Sequence, residues 1–385
     1  MFYMDASALS LVCLGGLMLA AIAASAEGGV PAEFRTEDVK GEGGVTIYQP
    51  DKCYDGYTLF CRNRGSAFYL IDMEGKVVHK WETTGSSIHF GELLPNGHLF
   101  YSTADRSYEP HRGVHELDWD GNEVWHYNCP VDHDHSRLPN GNSLMNCREE
   151  VIDPKVYYDT GYPDYRCCYS PFMIEVAPNR EVVWEWHGHD HIEELKALVG
   201  IEFPRPDEDW AHCNTAQSIP ENELGKRDSR FRAGNVMFSY RTLDTIGVID
   251  RETGEIVWAW GPGELDKQHQ PNMLPNGHII IFDNGTARKY SRIVEMDPAS
   301  GEIVWEYLGD PPESFFSSAV SGQQRLPNGN TLICSGGQAR IFEVTPAKEI
   351  VWEYMLEYHH PNGGGGFYRH SGRYAPEYVE PLLNG

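Results

Sequence analysis

The stretch IGVIDRETGEIVWAW, residues 246–260, decides the fold, because two strand-like runs flank one polar turn in it. Alternating apolar residues on each side have the period of two that is typical of a half-buried strand. The turn contains Gly254, and the second run carries Trp258, so the stretch predicts a β-hairpin. The same pattern recurs along the chain at residues 68–81, 114–127, 172–186, 246–260, 292–307 and 340–354.

A second motif, Leu-Pro-Asn-Gly, alternates with these hairpins. It occurs at residues 94–97, 138–141, 274–277 and 326–329, and a degraded example lies within residues 216–238. Proline presets φ, and we expect Asn-Gly to take the positive φ values of a tight reversal. Each repeat is therefore strand, Pro-Asn-Gly turn, strand, connection, strand, turn and Trp strand, which is one four-stranded propeller blade.

Counting the hairpins predicts an all-β fold, a six-bladed β-propeller of four-stranded antiparallel blades. The first hairpin is preceded by YTLFC, residues 57–61, which supplies one strand where two are needed. We expect the tail HHPNGGGGFYRHSGRY, residues 359–374, to supply the missing innermost strand and so close the ring without a free edge. The recurrent Trp residues are expected to pack between neighbouring blades: Trp81, Trp125, Trp184, Trp258, Trp305 and Trp352.

The expected organisation is a signal peptide or N-terminal anchor at residues 1–26, a lead-in at 27–56, the propeller at 57–375 and a tail at 376–385. Residues 8–24 are almost wholly apolar, and ASA ending at Ala26 suits signal peptidase. The basic residues that usually precede such a run are missing, so a retained anchor stays an alternative. We expect an exported protein, periplasmic or extracellular, in which the remaining eight Cys permit disulfides of undetermined pairing.

The formal net charge of −26 argues against a nucleic-acid partner and against anionic membrane surfaces. Any site for an anionic substrate must therefore be locally basic. The sequence does not determine the oligomeric state.

Histidines precede the Pro-Asn-Gly turns at a constant distance. Five residues before the Leu of the turn stand His89, His133 and His269, and His212 lies close to the equivalent place in the degraded repeat. In the last repeat the position is Ser321. Because the strand before the turn lines the axis of a propeller, these side chains are expected to meet at one end of the channel, where imidazoles can serve as bases, nucleophiles, metal ligands or anion contacts.

Two further stretches bear on this ring. Arg288 and Arg292, in FDNGTARKYSR, follow the His269 turn and would suit an anion such as sulfate. The run HGHDH, residues 187–191, has spacing suggestive of metal binding. It follows a Trp strand, which we expect on the side opposite to the histidine ring, and we expect no metal site and no cofactor.

The motifs DWAHCN, HQPNMLPNGHIIIFDNGTAR and the alternating LPNGN and EIVWEY runs resemble the arylsulfotransferase family. The resemblance extends from about Tyr57 to Tyr354. It implies a six-bladed periplasmic propeller that moves a sulfuryl group from a phenolic sulfate to a phenol through a sulfohistidine, without the nucleotide donor PAPS. By motif match it implies sulfate-handling roles for His212, His269 and Arg288, and support of the first strand by Asn214.

This sequence departs from the family where the resemblance places the nucleophilic His, because SFFSSAVSGQQRLPNGN, residues 314–330, contains no His. Ser317, Ser318 or Ser321 stands there, so His133 or the tail's His370 would have to take that role, or the chemistry differs. The catalytic candidates are His133, His212, His269 and Arg288. The substrate-binding candidates are His89, Asn214, Arg292 and Ser321. The alternatives to a sulfotransferase are a propeller that only binds a ligand or partner, and a quinoprotein-like scaffold suggested by the Trp hairpins.

Overall fold

The computed structural model describes residues 43–63, 65–83, 88–103, 112–151, 168–200, 209–356 and 366–384, and at strand residues 88, 89, 168 and 368–371 it describes the backbone alone. Six antiparallel sheets form the blades of a six-bladed β-propeller, as the repeats predict. Blade 1 contains β25, β2, β3 and β4, and blades 2 to 6 follow in chain order with β5–β8, β9–β12, β13–β16, β17–β20 and β21–β24.

The strands have the following bounds. Blade 1 has β2 (Tyr57–Arg62), β3 (Ala67–Ile71), β4 (Val77–Glu82) and β25 (Phe367–Tyr374), and blade 2 has β5 (Ile88–Leu93), β6 (Leu99–Thr103), β7 (Gly113–Leu117) and β8 (Glu123–Tyr127). Blade 3 has β9 (Val131–Arg137), β10 (Ser143–Val151), β11 (Cys168–Val176) and β12 (Val182–His187), and blade 4 has β13 (Cys213–Ser218), β14 (Val236–Tyr240), β15 (Thr245–Ile249) and β16 (Ile256–Trp260). Blade 5 has β17 (His269–Met273), β18 (Ile279–Asp283), β19 (Arg292–Asp297) and β20 (Glu302–Tyr307), and blade 6 has β21 (Gly322–Arg325), β22 (Thr331–Ser335), β23 (Arg340–Val344) and β24 (Ile350–Leu356). The helices are α1 (Ile192–Val199) and α2 (Pro376–Asn384), with short 3-10 helices at Gly188–His191, Ser229–Phe231, Pro312–Ser314 and Gly336–Gln338.

The ring closes as expected, because the tail strand β25 pairs antiparallel with β2 as the innermost strand of blade 1. Arg373 of this strand is buried and forms an ion pair with buried Glu343 of blade 6. Its guanidinium also donates to Thr58 Oγ1, at 3.0 Å, and lies 4.3 Å from the Trp352 ring centroid. A buried charge pair with these partners ties the last blade to the first.

One strand was not expected. β1 (Gly43–Tyr48), within the lead-in, pairs with β24 and adds a fifth strand to the outer edge of blade 6. It covers an edge that would otherwise expose unpaired backbone groups.

The Leu-Pro-Asn-Gly turns differ in one detail from the expectation. Only their Gly residues are left-handed, with φ of 82°, 85°, 91° and 88° at Gly97, Gly141, Gly277 and Gly329. In each turn the Gly N–H donates to the Leu carbonyl, and the Asn side chain accepts from the backbone N–H two residues on. The Asn is therefore selected for this side-chain hydrogen bond rather than for a positive φ.

The Trp residues pack between blades through one repeated contact. Trp81, Trp125, Trp305 and Trp352 each donate the indole N–H to a carbonyl in the hairpin turn of the next blade, at 2.8–3.2 Å. In blade 3 the donor is Trp186, two residues after the expected Trp184, and its acceptor is Gly254. Fixed indoles at the blade interfaces set the angle at which each blade meets its neighbour.

The innermost strands β25, β5, β9, β13, β17 and β21 contact one another in sequence around the axis. In blades 2, 3, 5 and 6 the innermost strand runs toward the Pro-Asn-Gly turn. In blades 4 and 1 the antiparallel pairing of β13 with β14 and of β25 with β2 gives the innermost strand the same direction, so all six begin at one end of the channel. We call that end the channel mouth. Because the strands of a blade alternate in direction, the fourth strand of each blade also ends at this face of the molecule.

The structure describes few of the residues on which the prediction of export depends. Residues 1–26 lie outside the described residues, so the signal peptide stays a prediction. Among the residues that the structure describes, no helix has the length and apolar character needed to cross a membrane. Cys53, Cys129, Cys147 and Cys213 form no disulfide.

Candidate active site

The sequence-predicted positions lie at the channel mouth, at the start of the innermost strands. His133 is near the start of β9, His212 directly precedes β13, His269 begins β17, and Ser321 directly precedes β21. The pairing of β5, β9, β13 and β17 with the second strand shifts register just after each start. His133, His212 and Ser321 have left-handed φ values of 68°, 45° and 87°. Bulges and left-handed backbone turn side chains out of the regular sheet direction, and both cluster at functional sites.

His133 and His212 are in contact across the boundary of blades 3 and 4. Their ring centroids are 4.7 Å apart in an edge-to-face arrangement. Nδ1 of His133 lies 2.6 Å from Asp132 Oδ1, and Nδ1 of His212 lies 2.7 Å from Asp209 Oδ2. Each carboxylate accepts from Nδ1 and so fixes its ring as the Nδ1–H tautomer.

Arg148 joins these two His–Asp pairs. Its Nε lies 3.6 Å from Asp132 Oδ2 and its Nη1 lies 3.5 Å from Asp209 Oδ2. A shared cation between the two carboxylates holds both rings in one arrangement. The His212 side chain is 31% exposed, so its imidazole is open to a ligand at the mouth.

His269 is only 6% exposed and is held differently. Its Nδ1 lies 2.6 Å from Asn284 Oδ1 and 3.2 Å from the Lys267 carbonyl, and both of these atoms can only accept. The amide orientation of Asn284 is fixed by its Nδ2, which donates to the Ser317 and Val320 carbonyls. Nδ1 of His269 therefore carries the proton, and Nε2 carries the lone pair.

The environment also keeps the His269 ring neutral. Burial lowers the pKa of His269 well below its usual range, and the positive charge of Arg241 lowers it further. The hydrogen bond to Asn284 opposes this shift, whereas His133 and His212 add to it. His133 and His212 therefore lie close enough to His269 to act on its charge.

This shift predicts a pH dependence of stability. Below pH about 6.5 a His in the unfolded chain binds a proton, whereas folded His269 stays neutral. The unfolded state then binds more protons, so the free energy of unfolding falls as the pH drops through this range. Urea unfolding at a series of pH values should show a steeper fall for the wild type than for His269→Gln, by at most about 1.4 kcal/mol per pH unit. Parallel curves for the two proteins would rule out a neutral buried His269.

Sequence reasoning missed Arg241. It follows β14 directly, and its backbone N–H donates to the His212 carbonyl at 3.1 Å, which places it beside the start of β13. Burial lowers the pKa of its guanidinium. The negative charges of Asp244, Asp266 and Asp209 raise this pKa and so offset part of the effect of burial. Its guanidinium makes a long side-chain hydrogen bond, 3.5 Å to the Ser318 carbonyl, and no carboxylate of the described residues is within ion-pair distance. Arg241 is therefore a desolvated cation whose donors are available to an anion.

The two arginines proposed from the sequence are engaged elsewhere. Arg288 donates to the Tyr290 and Asp283 carbonyls and pairs with the Asp283 carboxylate. Arg292 pairs with Asp283 and Glu306 and donates to the Glu264 carbonyl. Their guanidinium groups hold the loop after β18 together at the mouth of blade 5.

Asn214 and Ser321 are both buried and both hold backbone. Asn214 Nδ2 donates to the Gln268 carbonyl at 2.8 Å, which links β13 to blade 5. Ser321 Oγ donates to Ser317 Oγ at 2.8 Å and accepts from the Gly336 N–H. The side chains of His89 and His370 lie outside the described side chains, although the backbone of both residues belongs to inner strands.

Signals for the missed residues were present in the sequence. Asp132 and Asp209 stand one and three residues before the His that each orients. Arg241 directly follows β14, the strand that pairs with β13, at the place where this second strand returns to the mouth. The topology, once predicted, would have directed attention to these positions.

Comparison with known proteins agrees with this architecture. The family model described as Arylsulfotransferase (ASST) matches residues 77–357, which is most of the chain and includes blades 2 to 6 and strand β4 of blade 1. The chain belongs to the arylsulfotransferase family. No curated protein matches it.

Several solved structures are similar in fold to this arylsulfotransferase-family chain. A Bacteroides caccae protein of unknown function is 16% identical with a TM-score of 0.52, over 82% of this chain and 98% of that one. A streptogramin B lyase is 13% identical with a TM-score of 0.46, over 85% and 87%. The Myceliophteria thermophila Cps50 (Swd1) propeller domain is 11% identical with a TM-score of 0.44, over 83% and 90%. At 16% identity the likeness to the Bacteroides caccae protein extends to the fold alone.

Proposed function

We propose that this chain transfers a sulfuryl group from a phenolic sulfate to a phenol at the channel mouth, with His269 as the nucleophile. The observation that carries the proposal is the neutral, proton-oriented imidazole of His269 beside Arg241 and the His133–His212 pair. Family membership supports the sulfotransferase class, and the residue roles below rest on the geometry described above.

His269 fits the nucleophile because its lone pair is on Nε2 and burial keeps the ring unprotonated. In the first step Nε2 attacks sulfur, an N–S bond forms and the S–O bond to the donor aryl group breaks. In the second step the oxygen of the acceptor phenol attacks the same sulfur, and the N–S bond breaks. The Nδ1–H of His269 keeps its hydrogen bond to Asn284 Oδ1 throughout, so the ring keeps one tautomer.

His212 fits the proton carrier because Asp209 orients it and its side chain is open at the mouth. As imidazolium it gives a proton to the leaving phenolate oxygen, and as imidazole it takes the proton of the acceptor phenol. The carboxylate stabilises the imidazolium without itself being protonated. Protons thus balance over one cycle.

Arg241 and His133 fit the groups that hold the sulfuryl oxygens. The desolvated guanidinium of Arg241, and His133 in its imidazolium form with Nε2–H as the donor, can stabilise charge as it shifts during transfer, with little reorganisation. In a chain of net charge −26, the positive charge of Arg241 at the mouth also provides the attraction that an anionic donor needs.

The test is a transfer assay with 4-nitrophenyl sulfate as donor and an unsubstituted phenol as acceptor. We expect release of nitrophenol that depends on the acceptor, together with formation of the acceptor's sulfate ester. Absence of both with a range of phenols would sink the proposal.

A ligand-binding propeller without turnover is the second candidate. The observation that favours it concerns the place where the resemblance puts a nucleophile. There the Ser321 hydroxyl donates to the Ser317 hydroxyl, and both oxygens accept from backbone N–H groups of blade 6. Tight binding of an aryl sulfate without nitrophenol release would support this candidate over the enzyme.

Export is also part of the proposal. The apolar run at residues 8–24 and the small residues ending at Ala26 support cleavage after that residue. N-terminal sequencing of the protein from the exported fraction should begin at Glu27, whereas an intact Met1 would contradict cleavage.

A further inference from the structure

We propose that Glu149, His187 and His189 form a binding site for a divalent transition metal ion, for which Zn²⁺ is the best fit. The proposal is independent of the sulfotransferase function. One ring nitrogen of each histidine and one carboxylate oxygen all lie within 4.8 Å of one another. Two imidazoles and one carboxylate are a donor set that zinc takes with a fourth position open.

The blade topology brings these residues together. Glu149 is near the end of β10, His187 ends β12, and β11 lies between them with Ser170 opposite Glu149 and Phe172 opposite His187. Both side chains reach across β11 from either side, and His189 approaches from the 3-10 helix that follows β12.

This location corrects the expectation from the sequence. A fourth strand ends on the same face as the channel mouth, because four alternating strands return the chain to the end where it started. The HGHDH run therefore lies on the mouth face of blade 3, farther from the axis than β9, and the expected opposite side is wrong.

The distances fit a shared ion. Glu149 Oε1 lies 2.8 Å from His187 Nδ1 and 3.2 Å from His189 Nδ1. Tetrahedral zinc with bonds of about 2.0–2.1 Å separates its ligand atoms by about 3.3–3.4 Å. A modest opening of the cluster would accommodate the ion.

The cluster is poorly satisfied as it stands. Nδ1 of His189 is buried, and its contact with Glu149 lacks the geometry of a hydrogen bond, so this nitrogen has no hydrogen-bond partner in the described structure. One carboxylate oxygen of Glu149 thus faces two ring nitrogens, and of these two it is the nitrogen of His187 that forms a hydrogen bond with it. An ion would take both lone pairs and remove the unpaired buried nitrogen.

The site is held rigidly. The His187 ring stacks on Phe172 with an interplanar angle of 10°. Gly188 packs so tightly that an added Cβ would lie 2.9 Å from Pro171 Cγ and 3.0 Å from the Pro171 carbonyl. A Gly between the two histidines is therefore required for the chain to pass here, which fixes the positions of both rings.

A second His–Glu–His cluster, His115, Glu123 and His126, provides a contrast within the same chain. Its imidazole rings stack face to face with centroids 4.3 Å apart. Nε2 of His115 contacts Thr103 Oγ1 and Nε2 of His126 contacts the Arg112 carbonyl. Because these nitrogens already have partners, we expect no ion there, and His126→Ala is a matched control.

The experiment is a titration of the chelator-treated full chain with Zn²⁺ by calorimetry and with Co²⁺ by visible absorption. We expect one site, with the intense Co²⁺ absorption of low coordination, and a rise in the unfolding temperature with Zn²⁺. His187→Ala and His189→Ala should each weaken Zn²⁺ binding about 100-fold or more, and His126→Ala should leave it unchanged.

Two results would overturn the proposal. One is the absence of Zn²⁺ and Co²⁺ binding by the wild type. The other is binding that depends on the wrong residues: it stays at wild-type strength in the His187→Ala and His189→Ala variants, or it is lost in His126→Ala or in the channel-mouth variant His212→Ala. Unfolding curves recorded in chelator separate loss of the site from loss of the fold.

Discussion

Replacing His269 with Ala is expected to lower kcat/KM for aryl sulfate transfer by about 10³-fold or more, the scale seen when a nucleophile is removed. The account assigns bond formation with sulfur to His269 Nε2, and no substitution that removes this lone pair can preserve the two-step route. Steady-state rates with 4-nitrophenyl sulfate measure the effect.

The matched control is His278→Ala. His278 follows the turn of the same blade, and its Nδ1 also has an oxygen partner, Glu295 Oε1 at 2.7 Å, but it lies at the opposite end of the strand. This variant should keep the wild-type rate within about twofold, as surface changes away from a site usually do. A His269→Ala protein that turns over as fast as the control would refute the assigned role.

Replacing Arg241 with Gln is expected to lower kcat by about 10²–10³-fold, the effect of losing one pre-positioned donor to developing charge. The guanidinium is desolvated and has few partners, so its donors are held ready for a sulfuryl group rather than for the fold. Arg241→Lys should recover part of the loss, because the charge remains while the planar donor pair does not. Initial rates over a range of donor concentrations separate kcat from KM.

Arg288→Gln is the informative comparison, since the family motif points to Arg288 and the contacts point to Arg241. The Arg288 guanidinium is used by the Asp283 carboxylate and by two carbonyls. Arg288→Gln should therefore lower the free energy of unfolding, and its effect on kcat should be smaller than that of Arg241→Gln. An Arg288→Gln protein with normal stability and no turnover, beside an active Arg241→Gln protein, would reverse the assignment.

The blade count could be predicted because hairpin and turn patterns repeat with the period of the fold. Closure by the tail followed from an unpaired first blade, and the structure confirms it through β25. β1 was missed because its role depends on the exposed edge of a blade more than 300 residues away in sequence. Local pattern carries information on hairpins, whereas edge pairing depends on the finished ring.

The site was predicted less completely than the fold. Constant spacing from the turn located His133 and His269, because equivalent strand positions share a height in the ring, and His212 stood close to the equivalent place in the degraded repeat. Spacing could not identify Asp209, Arg148 or Arg241, which act from other strands or from a loop. Nor could it show that Arg288 and Ser321 face protein partners, since that depends on which hydrogen bonds are already made.

The central claim, a sulfuryl group carried by His269, is tested most directly by trapping the intermediate. Protein mixed with donor in the absence of acceptor, quenched at alkaline pH and digested, should carry the mass of one SO₃ group on the peptide that contains His269. Adding a phenol before the quench should remove it. A modification at His212, His133 or Ser321, or an active enzyme that carries none, would contradict the account.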